Sequence, residues 1–210
     1  MRIISPSVEM ITSVDGTEVL QHIERCGRVC YKSEAKIAPG SAVDFVAAII
    51  KRGHEAVLEH YNVTLKFICD RGVSHEIVRH RLASYCQEST RYCNYVKDDF
   101  GSEITFIKPL FLVEHTPGYE IWQATCKVAE GSYFAMLEFG CSPQEARSVL
   151  PNSLKTELVM TANLREWRHF FRLRCSKAAH PQMREVATHA LALMQSAIPV
   201  VFDDIAEAVL

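Results

Sequence analysis

The 210-residue chain lacks any long hydrophobic run. No segment approaches the ~20 consecutive apolar residues that a membrane-spanning helix requires, and the first six residues, MRIISP, lack the apolar stretch of a secretory signal peptide. Lysine and arginine number 23 against 25 acidic residues, so the formal net charge is -2 and the basic excess of a general nucleic-acid-binding protein is missing. We therefore expect a soluble, cytoplasmic protein with neither a membrane nor a nucleic acid as its partner.

The sequence also lacks a pattern of cysteine and histidine typical of a metal site. Its eight cysteines include no Cys-x-x-Cys pair, and a chain without an export signal is expected to keep its thiols reduced. We interpret most of them as small buried hydrophobic residues. His54 and His60 lie six positions apart, whereas a zinc-binding helix carries its two histidines about four positions apart. We predict no metal site. The cysteines are Cys26, Cys30, Cys69, Cys86, Cys93, Cys126, Cys141 and Cys175.

The hydrophobic pattern indicates a mixture of strands and helices. Val63, Leu65 and Phe67 alternate with other residues as in a strand, whereas residues 114–140 carry apolar side chains at helical intervals. Residues 142–145, SPQE, combine a capping box with a proline at the first helical position. Residues 156–162 fit either a strand or a helix. The pattern predicts an α+β fold in which helices pack against a small, mainly antiparallel sheet.

The chain shows no sign of a domain boundary. With 48% hydrophobic residues it can bury a substantial core, and no internal repeat, low-complexity tract or change of composition marks a linker. We therefore predict that residues 1–210 form a single domain.

Residues 79–92, RHRLASYCQESTRY, concentrate groups that bind anions. They include three arginines and a histidine among serine, threonine and glutamine side chains, and a guanidinium matches a phosphate or carboxylate with two parallel hydrogen bonds. A solvated basic turn is the alternative interpretation. The preceding segment has a short helical pattern in Val73 and Ile77, and strand-like sequence follows. An arginine cluster between two ordered elements is positioned to bind a ligand.

The spacing within this segment resembles the signature of the flavin-dependent thymidylate synthases. The signature is the run Arg79-His80-Arg81, followed after seven residues by Ser89 and then by Arg91. The resemblance covers most of the chain. It extends to Gly53, His54, Glu55, Glu59, His60, Arg147, Leu150, Pro151, Asn163, Arg165, Leu173 and Arg174.

The resemblance implies a reaction, its cofactors and an assembly. Members of the family transfer the methylene group of 5,10-methylenetetrahydrofolate to the fifth carbon of dUMP and reduce it with a hydride from FAD, which NADPH has recharged. The product is dTMP. The enzymes are homotetramers whose sites are assembled from several subunits, and they use no cysteine nucleophile. The uracil must then be activated electrostatically, and the resemblance assigns this catalytic role to Arg174.

The resemblance also assigns the binding residues. Ser89 has no evident base beside it, so we interpret it as a hydrogen-bond donor to the dUMP phosphate and not as a nucleophile. The residues expected to bind dUMP are Glu76, Arg79, Gln87, Ser89, Thr90, Arg91, Arg147 and Arg174. Those expected to bind FAD are His54, Ala56, Arg79, His80, Arg81, Gln87, Asn163, Arg165 and His169.

Three residues depart from the usual family pattern. The family usually has asparagine and glutamate where this chain has Cys86 and Gln87, and commonly asparagine where it has His169. Gln87 keeps the reach of a glutamate but loses its charge, so a carboxylate that acts on substrate at this position is in doubt.

Residues 163–174 form a predicted helix with two different faces. At about 100° per residue, Arg165 and His169 lie close together, whereas Arg174 shares the opposite face with aromatic side chains. Burial of an arginine without a partner is costly, so Arg174 must meet a carboxylate, a ligand or another chain. The alternative is an aromatic core face from which Arg174 extends to water.

Two other functions are compatible with the arginine run. A nucleic-acid-binding module would use it on phosphates and would bind with strong salt dependence. A flavin reductase of another substrate would bind the flavin without transferring a carbon.

Overall fold

The computed structural model of the chain describes residues 1–92, Tyr95 and residues 103–209. Cys93 lies outside the described residues. The strands are β1 Arg2–Ile4, β2 Ser7–Met10, β3 Asn62–Asp70, β4 Ala83–Gln87, β5 Thr105–Ile107 and β6 Lys155–Asn163. The helices are α1 Gly16–Val29, α2 Ser41–Lys51, α3 Arg71–Ile77, α4 Pro117–Glu138, α5 Pro143–Ala146, α6 Leu164–Arg174, α7 Pro181–Ala197 and α8 Asp203–Val209. Short 3-10 turns span Glu34–Lys36, Glu55–His60 and Arg147–Val149.

The chain divides into two compact units. The first unit comprises Met1–Ser7, Phe67–Arg79 and Cys86–Leu158, and the second comprises Val8–Lys66, His80–Tyr85 and Val159–Leu210. The assignment of residues 1–210 to a single domain stays a prediction.

The main sheet has the strand order β2-β3-β6-β4. Leu164 N donates to Tyr61 O at 3.0 Å, and the hydroxyl oxygens of Thr64 and Thr161 lie 2.9 Å apart. Because one residue number falls as the other rises, β3 and β6 run antiparallel. The predicted α+β class with a small, mainly antiparallel sheet is confirmed. β1 and β5 form a separate pair that is parallel.

Alternation along β3 confirms the predicted strand. Val63, Leu65 and Phe67 are fully buried, while the residues between them are partly exposed. A period of two places these three side chains on one face of the sheet. The Trp167 indole of α6 donates to Val63 O at 3.0 Å, so α6 packs against the same strand.

The structure also tests the other predicted helices and strands. The helix expected in residues 114–140 is α4, and the capping box at Ser142 and Glu145 is present. The ambiguous segment 156–162 belongs to β6. The arginine-rich segment 79–92, for which a solvated basic turn was the alternative interpretation, contains β4, a strand that was not predicted and whose half-buried and exposed residues alternate. None of the described helices, including α4 with its 22 residues, is long and apolar enough to cross a membrane.

The first unit has an aromatic core under α4. Tyr133 is fully buried and its ring meets the ring of Tyr95 edge to face, with 5.6 Å between centroids. Phe106 of β5 and Cys126 of α4 belong to the same buried cluster. This packing uses the inward face of α4, while Ile121 and Val128 on the same helix stay exposed.

The second unit is built around α6. Trp167, Phe170 and Phe171 are fully buried and contact one another through their rings, and Phe171 also contacts Phe202. Asn163 begins the helix, because its side-chain oxygen accepts a hydrogen bond from Glu166 N at 2.9 Å.

A fully buried arginine ties α6 to two other elements. The Arg168 side chain is 0% exposed and donates to Glu55 Oε1 at 3.1 Å and to Asp204 Oδ1 at 2.7 Å. It also donates to the backbone oxygen of Val201. Burial alone would raise the pKa of Glu55, but Arg172 and Arg168 hold it below its usual range. The buried cation is therefore compensated by two carboxylates.

We expect Arg168→Ala to lower the free energy of unfolding by about 3 to 5 kcal/mol, because it leaves Glu55 and Asp204 without their buried partner. Urea unfolding monitored by circular dichroism measures the change. The matched control is Arg52→Ala at an exposed position, for which we expect a change of at most about 0.5 kcal/mol. Equal effects of the two substitutions would show that Arg168 contributes no specific stability.

Candidate functional site

The contact between Arg174 and His80 defines the candidate site in the second unit. Arg174 lies at the last position of α6, and its Nε donates to His80 Nε2 at 2.8 Å. The prediction gave Arg174 a carboxylate, a ligand or another chain as its partner. The structure gives it a histidine that is only 5% exposed.

The hydrogen bond fixes the protonation of His80. An arginine side chain has donors and no acceptor, so His80 Nε2 must be the acceptor and carries no proton. Burial, together with the charges of Arg174 and His169, lowers the pKa of His80 to about 4. His80 is therefore neutral near pH 7, and its single ring proton lies on Nδ1.

Further contacts fix the position of the His80 backbone and ring. Its carbonyl oxygen accepts from the Tyr85 hydroxyl at 2.9 Å and from Arg81 Nη1 at 2.8 Å. Its ring meets Phe170 and His169 edge to face, with centroids 4.8 Å and 5.8 Å apart. The imidazole thus has one defined orientation under Arg174.

Glu166 faces the other nitrogen of His80. Its Oε1 lies 3.5 Å from His80 Nδ1, which is longer than an ordinary hydrogen bond. This oxygen is buried and accepts no hydrogen bond from any described residue. Burial raises the pKa of Glu166, and the nearby His169 opposes that shift. Sequence reasoning missed Glu166, because an acidic residue in the first turn of a helix also has a purely stabilising role.

Four of the predicted FAD residues line one cavity in the second unit, with a volume of about 490 Å³. They are Arg81, Asn163, Arg165 and His169. The same cavity includes five residues that were not predicted to bind there, Glu55, Glu59, Leu82, Glu166 and Arg172. Arg165 lies on its wall with its Nη1 2.6 Å from Glu59 Oε1, and this exposed ion pair contributes little to stability.

The structure places His54 and Ala56 apart from that cavity. His54 lies in a cleft of about 600 Å³ lined by Arg28, Tyr31 and Arg52 among others. Ala56 is exposed in the 3-10 turn that follows. Within one copy of the second unit, these two predicted FAD residues do not share the cavity of Arg81 and His169.

The predicted dUMP residues other than Arg174 belong to the first unit, as do Arg79 and Gln87 of the FAD set. Thr90 and Arg147 come together there, because Arg147 Nη1 donates to Thr90 Oγ1 at 3.2 Å. Both line a cavity of about 270 Å³ that also includes Ser148 and Asn152. None of its described lining residues is acidic.

Arg71 is a further basic residue in this cavity that sequence reasoning missed. It lines the cavity with Arg147, and its buried Nη1 has no hydrogen-bond partner among the described residues. Two guanidinium groups without a carboxylate form a site suited to an anion. Arg71 begins α3 directly after the capping residue Asp70, and its sequence context gave no ligand-binding signal.

Gln87 makes neutral hydrogen bonds in the first unit. Its Nε2 donates to Ser74 Oγ at 2.9 Å and to Thr156 Oγ1 at 3.3 Å. Both hydroxyl residues are fully buried. A glutamate in this place could only accept, so both hydroxyl groups would have to turn and donate. The departure from the family residue therefore fits its immediate surroundings.

The remaining predicted dUMP residues of the first unit are partly or fully exposed. Glu76 and Ser89 are half-buried, and Arg79 is exposed. Arg91 is exposed, and its Nε donates to Gln144 Oε1 at 3.2 Å. The structure of one chain therefore leaves Arg79 and Arg91 accessible to a ligand or to a second subunit.

The cysteines are less buried than predicted. Cys69, Cys126 and Cys175 are buried, but Cys30 and Cys86 are exposed, and the other two in the described part of the chain, Cys26 and Cys141, are intermediate. The prediction that most are buried is therefore wrong for the described residues. Burial raises the pKa values of Cys126 and Cys175 to about 11, so these thiols stay protonated near neutral pH.

One group of side chains has the spacing of metal ligands. Candidate ligand atoms of His80, Glu166 and His169 lie within 4.8 Å of one another. His80 Nε2, however, is occupied by the positively charged Arg174. A cation would have to bind on the Nδ1 side against the repulsion of that guanidinium.

Comparisons with known proteins agree with the predicted resemblance. The sequence model of the family described as thymidylate synthase complementing protein matches residues 12–200. The chain is similar to the flavin-dependent thymidylate synthase of Geobacter sulfurreducens, with 32% identity over 184 residues that cover 84% of this chain and 78% of that protein. It is 33% identical over 215 residues to the enzyme of the same name from Corynebacterium glutamicum, which covers 94% of this chain and 83% of the relative.

A solved structure has a similar fold. It is the UMP/dUMP methylase PolB from Streptomyces cacaoi bound with 5-Br dUMP, with a TM-score of 0.79 and 24% identity, and the match covers 99% of this chain and 97% of that chain. At this level of identity, the likeness supports the fold alone.

The depressed pKa of His80 predicts a pH dependence of stability. Between pH ~6.5 and ~4 the unfolded chain binds a proton at this histidine and the folded chain does not, so stability falls as the pH falls through that window. We expect His80→Gln to reduce the slope of the free energy of unfolding against pH by up to about 1.4 kcal/mol per pH unit. Urea unfolding at a series of pH values measures it. The exposed His189→Gln is the control, and identical slopes in both variants would contradict a neutral His80.

Proposed function

The chain belongs to the thymidylate synthase complementing protein family, that of the flavin-dependent thymidylate synthases, and we propose that it methylates dUMP to dTMP with FAD as its flavin. The carbon donor is 5,10-methylenetetrahydrofolate, and NADPH supplies the reducing equivalents. The observation that carries the proposal is the placement of Arg174 on a neutral, buried His80 in the unit whose 490 Å³ cavity is lined by four of the predicted flavin residues.

The residues of the 490 Å³ cavity fit a flavin dinucleotide in their chemistry. Arg81, Arg165 and His169 supply donors for a diphosphate, and the amide of Asn163 suits a polar ring edge. Leu82, which is 81% exposed, offers apolar surface for a ring system. When bound, the reduced flavin supplies the hydride; the protein contributes binding and orientation.

The first unit supplies groups for the nucleotide phosphate. Arg147 and Thr90 are already in contact, and the buried Nη1 of Arg71 is a donor without an acceptor among the described residues. We assign these three residues to the dUMP phosphate. Arg79, Arg91, Ser89, Glu76 and Gln87 complete the proposed nucleotide site.

Arg174 activates the uracil in this proposal. A guanidinium beside a pyrimidine carbonyl and ring nitrogen stabilises the ionised ring and increases electron density at the fifth carbon. His80 holds the guanidinium through Nε without adding charge, because a neutral imidazole does not repel it. No thiol is needed, and Cys86 has no catalytic role.

We also propose that residues 1–210 act as one domain and assemble into homotetramers. The family match across residues 12–200 spans both units, which supports one functional domain. The separation of His54 and Ala56 from the Arg81 cavity within one copy supports a flavin site built by more than one subunit. Tyr92 and Leu82, 75% and 81% exposed, are apolar surface that such assembly would cover.

The site requires no metal, and the enzyme is a cytoplasmic protein that binds no nucleic acid.

Two measurements test the function. The purified protein should show the visible absorption of a stoichiometric flavin, which a nucleic-acid-binding module would lack. With NADPH and 5,10-methylenetetrahydrofolate present, it should release tritium from [5-³H]dUMP and form dTMP. Flavin absorption without tritium release would favour a reductase of another substrate.

Two substitutions separate catalysis from cofactor binding. We expect Arg174→Ala to lower kcat by about 10²- to 10³-fold, because it removes a preorganised donor, while most FAD is retained. Arg81→Ala should weaken FAD retention, because Arg81 lines the proposed flavin cavity. Tritium release and the absorbance at the flavin maximum measure both effects.

Cys86→Ser is the control for these variants, since Cys86 is exposed and outside the proposed machinery. It should keep the activity and flavin content of the original protein. The reverse pattern, in which Arg174→Ala loses FAD and Arg81→Ala loses only turnover, would overturn the assignment.

A further inference from the structure

Glu166 faces Nδ1 of His80, the ring nitrogen that Arg174 does not contact. The three residues form a line in the second unit, with Arg174 Nε 2.8 Å from His80 Nε2 and Glu166 Oε1 3.5 Å from His80 Nδ1. The Glu166 side chain is 11% exposed and the His80 side chain 3% exposed. The contact is therefore largely shielded from water.

Only one arrangement of protons on His80 is consistent with its contacts to Arg174 and Glu166. The guanidinium can only donate, so His80 Nε2 accepts and Nδ1 carries the proton of the neutral ring. Nδ1 lies 3.5 Å from a carboxylate oxygen that accepts no hydrogen bond from any described residue. A buried acceptor without a donor is costly, and closing the contact with Nδ1–H would satisfy both groups.

The position of Glu166 in its helix supports this use. It is the third residue of α6 after the capping residue Asn163, where a glutamate often turns back to the backbone of the cap. In α6 the Asn163 side chain accepts from Glu166 N, while the Glu166 carboxylate faces His80 instead. In α5, by contrast, Glu145 at the same helix position accepts from the backbone N of its cap, Ser142.

We propose that Glu166 is a positioning residue for Arg174, which acts by holding His80 in the tautomer that accepts the Arg174 hydrogen bond. The proposal rests on the proposed function for its catalytic consequence. Without Glu166, the His80 proton is free to move to Nε2, where it would face the Nε–H of Arg174 and displace the guanidinium. The uracil would then lose the oriented charge that activates it, while the flavin cavity keeps its basic residues.

The other polar groups around His80 do not replace Glu166. Arg174 of α6 has only donors and cannot accept a hydrogen bond from Nδ1–H, and the charges of Arg174 and His169 lower the pKa of His80. Arg81 and Tyr85 bond to the backbone oxygen of His80. Among the described residues, Glu166 is the only one with a carboxylate oxygen within 4 Å of a ring nitrogen of His80.

Glu166→Ala and Glu166→Gln test the proposal on the FAD-loaded protein. The alanine variant removes the acceptor, whereas the glutamine variant keeps a carbonyl oxygen that can accept from Nδ1–H. Nitrogen-15 NMR of histidine-labelled protein, with His80 assigned by its loss in His80→Gln, reports which ring nitrogen carries the proton. Steady-state tritium release from [5-³H]dUMP gives kcat and KM in parallel.

We expect the original protein and Glu166→Gln to show the proton on Nδ1, and Glu166→Ala to show it wholly or partly on Nε2. In the alanine variant kcat should fall about tenfold or more, as for the loss of one hydrogen bond to a charged group, with little change in flavin content. Glu166→Gln should stay within about threefold of the original kcat.

Glu18→Ala is the matched control, because Glu18 is also the third residue of a helix after its capping residue, Asp15. Any effect of removing a first-turn carboxylate from a helix dipole would appear there as well. We expect no change in tautomer or kcat.

An unchanged Nδ1 proton in Glu166→Ala would overturn the proposal, and so would an equal loss of flavin from the alanine and glutamine variants. If the original protein released no tritium, the proposed function would fail, while the tautomer measurement would still decide whether Glu166 controls His80.

Discussion

The hydrogen bond from Arg174 to His80 is the interaction on which the candidate site depends. It requires an imidazole without a proton on Nε2, and burial beside two further basic groups keeps that imidazole neutral. An arginine at the end of an aromatic helix face would otherwise lose its hydration without compensation. A neutral partner holds it in one orientation and leaves its positive charge undiminished for the uracil that we propose it activates.

The support for this contact comes from other residues of α6. Arg168 is fully buried and binds Glu55 and Asp204, so the helix is fastened to the 3-10 turn Glu55–His60 and to α8. Trp167 fastens the same helix to β3. The end of α6 therefore presents Arg174 from a rigid element, as a preorganised electrostatic site requires.

Sequence reasoning found what local patterns encode and missed what distant contacts decide. Alternation in Val63, Leu65 and Phe67, the helical periodicity of α4 and the capping box at Ser142 are local, and all are confirmed. β4 was missed because ASYCQ has no apolar alternation of its own and is a strand only beside β6. The proposed roles of Arg71 and Glu166 depend on a buried nitrogen and a buried oxygen that have no hydrogen-bond partner among the described residues. The spacing of residues in the sequence predicts neither. The family resemblance supplied four of the residues that line the proposed flavin cavity, whereas only the structure shows that His54 lies apart from them.

The most direct measurement is a crystal structure of the protein with FAD and dUMP bound. We expect the terminal nitrogens of Arg174 within hydrogen-bonding distance of the pyrimidine ring, its Nε still on His80, and the isoalloxazine ring stacked close to the pyrimidine. A uracil that contacts no guanidinium, with Arg174 turned away from both ligands, would contradict electrostatic activation by Arg174.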